Sequence, residues 1–386
     1  MLLLTLAILS LVIWLFLLLF WGGFWRADRK LESPITPLKT YPSICAIVPA
    51  RNEADVLPVS LRSLLTQDYP GVFSVILVDD RSTDGTSNVA QNTAEQVSQT
   101  SRLKIISGEP LPPGWTGKLW AIQQGVEFTQ TQAAIPDYFW FTDADIKHSV
   151  NNLSQLVAQA QQQQCDLVSL MVLLRCHSFW EKLLIPAFVF FFQKLYPFPW
   201  VNNPNSTFAA AAGGCILLRS QALIDIGGIP SIKDALIDDC TLAKKIKTNG
   251  SGSIWLGLTD SVLSLRVYDS LDSIWNVVAR TACTQLHYSP WLLLGTLLGM
   301  SLVYLVPPLG LVVGILTANN LLILISLITW SLMSWAYLPT IKLYRLSWLW
   351  IFTLPAIALL YNMMTLDSAL KHYRGQGGAW KGRVYP

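Results

Sequence analysis

The residues of this chain that could do chemistry are a handful of acids and one lysine. Asp143-Ala144-Asp145 sets two carboxylates one residue apart, directly after the aromatic run 138–141. Two carboxylates leaving the carboxyl edge of an α/β sheet suit a hard divalent cation that bridges to phosphates. The alternative is a turn that merely caps the helix starting near Ser149. Asp238-Asp239 is a second acid pair, at the head of the amphipathic stretch 237–246. Adjacent helical residues point about 100° apart, so one of these acids is expected to face a cleft. One well-placed carboxylate could take the proton of an alcohol as a general base; a helix N-terminal charge pair is the plainer reading. Pro49-Ala50-Arg51-Asn52-Glu53 follows an apolar run, and its amide and carboxylate could read the donors and acceptors of a base or ribose. Glu53 near the positive end of a helix dipole is the alternative. Asp79-Asp80 could accept from a base N–H or a ribose hydroxyl, or be ordinary turn acids. Lys118, near a helix start, could meet a phosphate or simply be solvated.

These residues need elements to carry them. Apolar runs at 43–48, 73–78, 103–106, 138–141, 167–174, 209–218 and 253–267 read as strands. Helical patterns lie between them at 53–65, after Gly85 with Ser82 or Thr83 as cap, and at 114–128, 149–164 and 233–249. A further amphipathic helix covers 271–286. Such alternation predicts an α/β fold with a mainly parallel sheet flanked by helices. The pair Gly213-Gly214 would let the backbone approach a ligand closely.

The ends of the chain have another character. Of 386 residues, 52% are hydrophobic and only 13% charged, against about a quarter charged in soluble domains. Residues 1–25 read as a retained transmembrane anchor, lacking the basic start and cleavage site of a signal peptide. Residues 26–42 form a linker, and Arg26, Arg29 and Lys30 place the following domain, 43–288, in the cytoplasm. Residues 289–367 form a C-terminal membrane region with spans at 291–316, 321–338 and 348–366. Splitting the first at Pro307-Pro308 would make four. A basic tail, 368–386, closes the chain. The apolar stretch 179–198 reads as an interfacial segment, with a buried helix as the alternative.

Several classes are disfavoured. A net charge of +3 makes no case for nucleic acid. Six scattered cysteines without CxxC spacing read as free thiols in a reducing compartment, and four isolated histidines form no triad. Neither GxGxxG nor GxxxxGK[ST] occurs, which removes the glycines of dehydrogenases and P-loop enzymes. A membrane receptor or transporter with an α/β sensor domain is the non-enzyme alternative, and the nearly uncharged spans argue against transport.

Taken in order, Val48-Pro49-Ala50-Arg51-Asn52-Glu53, Val78-Asp79-Asp80-Arg81-Ser82-Thr83-Asp84-Gly85-Thr86, Asp143-Ala144-Asp145 and Asp238-Asp239-Cys240-Thr241-Leu242 resemble the inverting glycosyltransferases of family 2. Their nucleotide-sugar-binding α/β fold is called GT-A. Gly114-Trp115-Thr116-Gly117-Lys118-Leu119-Trp120 and Trp380-Lys381-Gly382-Arg383-Val384-Tyr385 are similar to the hopene-associated group within that family. The resemblance implies that Ala50, Arg51, Asn52 and Glu53 line a uridine pocket, with Asp80 on the base and Lys118 near the donor. It implies that Asp143 and Asp145 hold Mg2+ or Mn2+ on the diphosphate. Asp239 takes the second place of the family's Glu-Asp pair and would be the base; Asp238 stands where Glu is usual. Arg280, Trp380, Lys381 and Arg383 are further candidates for donor or diphosphate contacts. The Gln/Arg-x-x-Arg-Trp motif of polymerising members is absent, which argues against a processive synthase. The implied protein is a non-processive hexosyltransferase of the inner or plasma membrane, moving sugar from a UDP-sugar to a lipid hydroxyl, with a hopanoid-related lipid among the acceptors the resemblance implies. A polyisoprenyl-phosphate glycosyltransferase is the alternative.

Overall fold

Seven-residue strands of almost unbroken Ile, Val, Leu and Ala can be satisfied only where both sheet faces are covered. Ile44–Ala50 is such a strand, buried at every position. A computed structural model describes residues 1–31, 40–132, 134–249, 252–374, 379–380 and 383–384. Its strands are β1 (Ile44–Ala50), β2 (Phe73–Asp79), β3 (Leu103–Ser107), β4 (Tyr138–Thr142), β5 (Ile146–Lys147), β6 (Leu167–Leu173), β7 (Cys215–Arg219) and β8 (Ile254–Ser264). Its helices are α1 (Leu2–Phe20), α2 (Leu57–Leu65), α3 (Thr86–Gln96), α4 (Gly117–Gln130), α5 (Asn152–Gln162), α6 (Phe179–Leu195), α7 (Phe198–Val201), α8 (Ser220–Asp225), α9 (Asp238–Asn249), α10 (Leu271–Gln285), α11 (Pro290–Met300), α12 (Val306–Leu316), α13 (Asn320–Leu343) and α14 (Leu354–Tyr373).

The chain divides into two compact units: Met1–Ala27 with Cys176–Pro199 and Val267–Pro386, and Asp28–Arg175 with Trp200–Arg266. The second unit holds one eight-stranded sheet in the order β3-β2-β1-β4-β7-β6-β8-β5. The pairs β1–β2, β1–β4, β2–β3 and β6–β8 are parallel; β4–β7, β6–β7 and β5–β8 are antiparallel. The sheet is therefore mixed, GT-A-like and flanked by helices. Trp140 of β4 is fully buried in a core with Val48, Leu77, Leu61 and Leu156. α4 lies close on this core: a Cβ on Gly125 would come within 2.6 Å of Ile47 Cγ2 and 3.3 Å of Val78 Cγ2.

Two local readings change. Ser82 and Thr83 do not cap α3; its N-cap is Gly85 at φ 86°, and Asp84 Oδ1 accepts from Thr86 N–H at 3.0 Å. The expected strand at 209–218 begins only at Cys215, because the run of small residues before it turns at Gly213-Gly214. The helix expected over 237–246, led by the two acids, is present and begins at Asp238.

In the other unit, among the described residues, four helical stretches are long and apolar enough to cross a membrane: Leu2–Phe20, Pro290–Leu316, Asn320–Leu343 and Trp348–Tyr373. The double proline does not split the second. A π-helical segment, Ser301–Leu305, precedes it and the helix continues. Pro307 has no N–H for the carbonyl four residues earlier, that of Val303. Trp14 Nε1 of α1 donates to this carbonyl at 2.9 Å, the substitution that an apolar environment demands. α12 meets α13 at Gly310 and Gly314, where added Cβ atoms would stand 2.4 Å from Ser326 Oγ and 2.8 Å from Ile323 Cγ1. α6 opens on a full capping box between Ser178 and Glu181 and buries Glu181, Leu184, Phe190 and Gln193. The stretch read as interfacial is thus a packed helix of this unit.

Candidate active site

Sheet topology brings the acids together. β4 lies beside β1 in parallel, and β2 flanks β1 on its other side. Strand order reverses between β1 and β4, which opens a crevice outside their carboxyl ends. Asp143 follows β4 directly. β7 runs antiparallel with Cys215 opposite Thr142, so the Gly213-Gly214 turn arrives at the same edge. β8 ends there as well, with Ser264 opposite Ile146 and Leu265 N–H donating to the Asp145 carbonyl at 2.8 Å.

Lys118, in the first turn of α4, stands at the centre. Its Nζ is 2.9 Å from Asp143 Oδ1 and 3.2 Å from Asp238 Oδ2. Asp239 Oδ2 accepts from Gly213 N–H at 2.8 Å, and its Oδ1 from Cys240 N–H at 2.7 Å. Lys118, Asp143, Asp238, Asp239 and Gly213 line one cavity. Both acids of the pair face it, where helix geometry led us to expect one. They sit in the first turn of α9, and the hollow wraps that helix start. A Cβ on Gly213 would stand 3.0 Å from Lys118 Nζ and 3.4 Å from Asp239 Oδ2, so a side chain there would push the lysine amine back by a few tenths of an ångström.

Burial pushes Asp239 up, and Asp238 adds to the shift. Lys118 and the two backbone donors oppose it, leaving the pKa at about 6. Asp143 is raised by burial, with Lys118 opposing and Asp145 reinforcing. Burial alone would lower Lys118; Asp143 and Asp238 outweigh it and hold the ammonium above its ordinary value.

Asp145 is 7% exposed. Its Oδ2 accepts from Ser264 Oγ and from Arg266 Nε, both at 3.2 Å. Arg266 Nη2 reaches Glu53 Oε1 at 3.0 Å. Sequence reasoning missed Arg266 and Ser264. The only signal was their place at the end of a strand.

The other expected donor residues lie on two neighbouring loops that bind each other. Asn52, at φ 52°, donates its N–H to Ser82 Oγ and accepts from Thr83 N–H, both at 2.9 Å. Glu53 N–H reaches Thr86 Oγ1 at 3.0 Å. The Ala50 carbonyl accepts from Asp80 N–H at 2.8 Å. Arg51 Nη1 donates to the Asp80 carbonyl at 2.7 Å and lies 3.8 Å from its carboxylate, which is 3% exposed. Asp84, bonded to Thr86 and Ala54, is held below its ordinary value by these donors against the opposing effect of burial. Arg280 lies on α10 of the other unit. Trp380 and Arg383 pair as backbone in a short antiparallel ladder, and Lys381 is outside the described residues.

Beneath the cluster His148 is buried and burial drops its pKa to about 3. The neutral ring links Asn152 Nδ2 at Nδ1 (3.1 Å) with Thr142 Oγ1 at Nε2 (2.9 Å). Thr142 Oγ1 donates to the Gly214 carbonyl at 2.9 Å. This relay joins the residue before Asp143 to the residue after Gly213.

The donor set fits a hard divalent cation. Asp143 and Asp145 supply oxygen ligands only, and each already holds a cationic side chain. No group of three or more His, Cys, Asp or Glu suited to a metal occurs among the described residues. The remaining coordination would fall to phosphates and water, as is usual for Mg2+.

Residues 45–227 match the family described as Glycosyl transferase family 2. The fold is similar to that of the mannosyltransferase PcManGT from Pyrobaculum calidifontis, in complex with GDP-Man and Mn2+. The TM-score is 0.55 at 19% identity, covering 96% of this chain and 99% of that one. The 4,4'-diaponeurosporenoate glycosyltransferase of Staphylococcus haemolyticus is 30% identical over 145 residues. That match covers 37% of this chain and 34% of the relative, so it spans about a third of that protein.

Proposed function

We propose that this chain is a membrane-held, inverting, non-processive glycosyltransferase that moves a sugar from a UDP-sugar to a hydroxyl of a lipid. The observation that carries the reading is the single cavity shared by Asp143, Lys118, Asp238 and Asp239, the first two within the stretch that matches glycosyl transferase family 2. Asp239 takes the proton of the acceptor hydroxyl as its oxygen attacks the anomeric carbon. The N–H groups of Gly213 and Cys240 fix this carboxylate by one oxygen each, and Asp238 and Lys118 set its charge. Lys118 steadies the donor side of the cluster. Asp143 and Asp145 would hold Mg2+ or Mn2+, which neutralises the charge that grows on the departing diphosphate. One displacement inverts the sugar carbon.

A lipid acceptor follows from covalent attachment. Among the described residues four helices are fit to cross a bilayer, which keeps the transferase domain at a lipid surface. The staphylococcal relative is named for a lipid-type acceptor, and a hopanoid-like alcohol is the specific acceptor we propose. Arg26, Arg29 and Lys30 follow the first span, so the domain lies on the cytoplasmic side of the inner or plasma membrane.

The test is nucleoside diphosphate release by the purified full-length protein across a panel of UDP- and GDP-sugars with Mn2+, with and without lipid alcohols. Release that requires one nucleotide sugar and rises with a lipid alcohol supports the proposal. Release unaffected by any lipid, but stimulated by a polyprenyl phosphate, would replace the acceptor class.

A further inference from the structure

Arg266 holds two acids that the proposed function assigns to the donor. Its Nε is 3.2 Å from Asp145 Oδ2 and its Nη2 is 3.0 Å from Glu53 Oε1. The two acids come from loops after β4 and β1, so one guanidinium closes the crevice edge across the strand-order reversal. The Arg266 side chain is 36% exposed, against 10% for Asp145 and 11% for Glu53. The cation reaches solvent where the acids do not. Lys118 pairs with Asp143 in turn, its Nζ at 2.9 Å, though there the acid is the more exposed partner. Each of the two proposed metal ligands thus already carries an organic cation.

We infer that Arg266 is the resident counter-cation of Asp145, competing with a divalent metal for that carboxylate until the nucleotide donor arrives. The inference rests on the metal reading of Asp143 and Asp145 given above. A bare metal ion approaching Asp145 meets a guanidinium already within hydrogen-bond reach of the ligand, in a partly buried place where charge repulsion is weakly screened. A metal that arrives with a nucleoside diphosphate brings phosphate oxygens. These are acceptors that suit the planar guanidinium fork better than one carboxylate oxygen does. Arg266 then has a new partner, and Asp145 is released. The consequence is coupling: metal alone binds weakly, and nucleotide strengthens it. Ser264, bonded to the same Asp145 oxygen, keeps the carboxylate oriented during the exchange.

The experiment is a Mn2+ titration of the full-length protein in detergent, following free Mn2+ by its paramagnetic resonance signal, with and without UDP. Wild type, Arg266→Lys and Arg266→Gln are compared, each checked for folding by circular dichroism. Without UDP, Arg266→Gln should bind Mn2+ about tenfold tighter than wild type, within the usual range of site–site coupling. Arg266→Lys should stay near wild type. UDP should tighten Mn2+ binding in wild type by more than in Arg266→Gln. A folded Arg266→Gln protein that binds Mn2+ no tighter than wild type overturns the inference. So does a wild type whose Mn2+ affinity ignores UDP, a result that needs no variant to fold. If neither wild type nor any variant takes up Mn2+, even with UDP, the metal reading itself falls.

Discussion

The raised pKa of Asp239 makes a quantitative claim about rate. A base works only when ionised, and kcat/KM follows its ionisation in the free enzyme. With a pKa of about 6, Asp239 is about nine-tenths ionised at pH 7 and about one-tenth at pH 5. Acceptor kcat/KM at saturating metal and donor should therefore fall about tenfold between those values. An ordinary aspartate near 3.8 would lose less than about a tenth over the same interval. The first cause of the shift is burial, which no conservative substitution removes; the second is the charge of Asp238. In Asp238→Asn the acid limb should move down by roughly one unit, the scale of a neighbouring like charge. The pH 7 to pH 5 loss should then shrink to about twofold. The assay is labelled-sugar transfer into lipid from pH 4.5 to 8, with circular dichroism at each pH to confirm the fold. A limb at an ordinary carboxylate pKa, or one that Asp238→Asn leaves in place, refutes the assignment of Asp239.

Other expectations concern the frame. Gly213→Ala should fold but lose most transfer activity, because the new Cβ would press on Lys118 Nζ at 3.0 Å; normal kcat would show that the ion pair tolerates displacement. Gly125→Ala should lower stability by about 1–3 kcal/mol through overpacking against Ile47, read as a drop in thermal midpoint at unchanged kcat. His148 is neutral in the fold, with its pKa dropped to about 3, while the unfolded chain protonates it below about 6.5. Its stabilisation is thus whole above pH 6.5 and drains away as pH falls towards 3. At pH 5 the loss is about 2 kcal/mol, and thermal unfolding of wild type against His148→Gln should show the difference between pH 7 and pH 5.

Much of the frame could be read from the sequence. The buried runs of β1, β2 and β4 have a composition that only a doubly covered sheet accepts, and each is closed by polar residues that must leave it. The order of those strands then forces Ala50, Asp79 and Asp143 to one edge. The partners could not be read. Arg266 meets Asp145 and Glu53 only because β8 is parallel to β6 and pairs with β5, and neither pairing leaves a mark on local sequence. The Asp238-Asp239 pair shares one cavity because side chains about 100° apart can both reach a hollow that wraps the helix start. Gly85 displaced the expected serine or threonine cap because Asn52 claims Ser82 and Thr83 from another loop. Pro307-Pro308 looked like a break because the donors that rescue the Val303 carbonyl belong to α1, distant in sequence.

The central claim is that Asp239 acts on the acceptor and has no part in holding the donor. Its most direct test compares Asp239→Asn with wild type for UDP-sugar binding in the presence of Mn2+ and for sugar transfer to lipid. The account predicts donor binding within about threefold of wild type and transfer reduced by about a hundredfold or more, the lower range for losing a general base. Transfer that persists near the wild-type rate, or a loss explained wholly by failure to bind the donor, would contradict it.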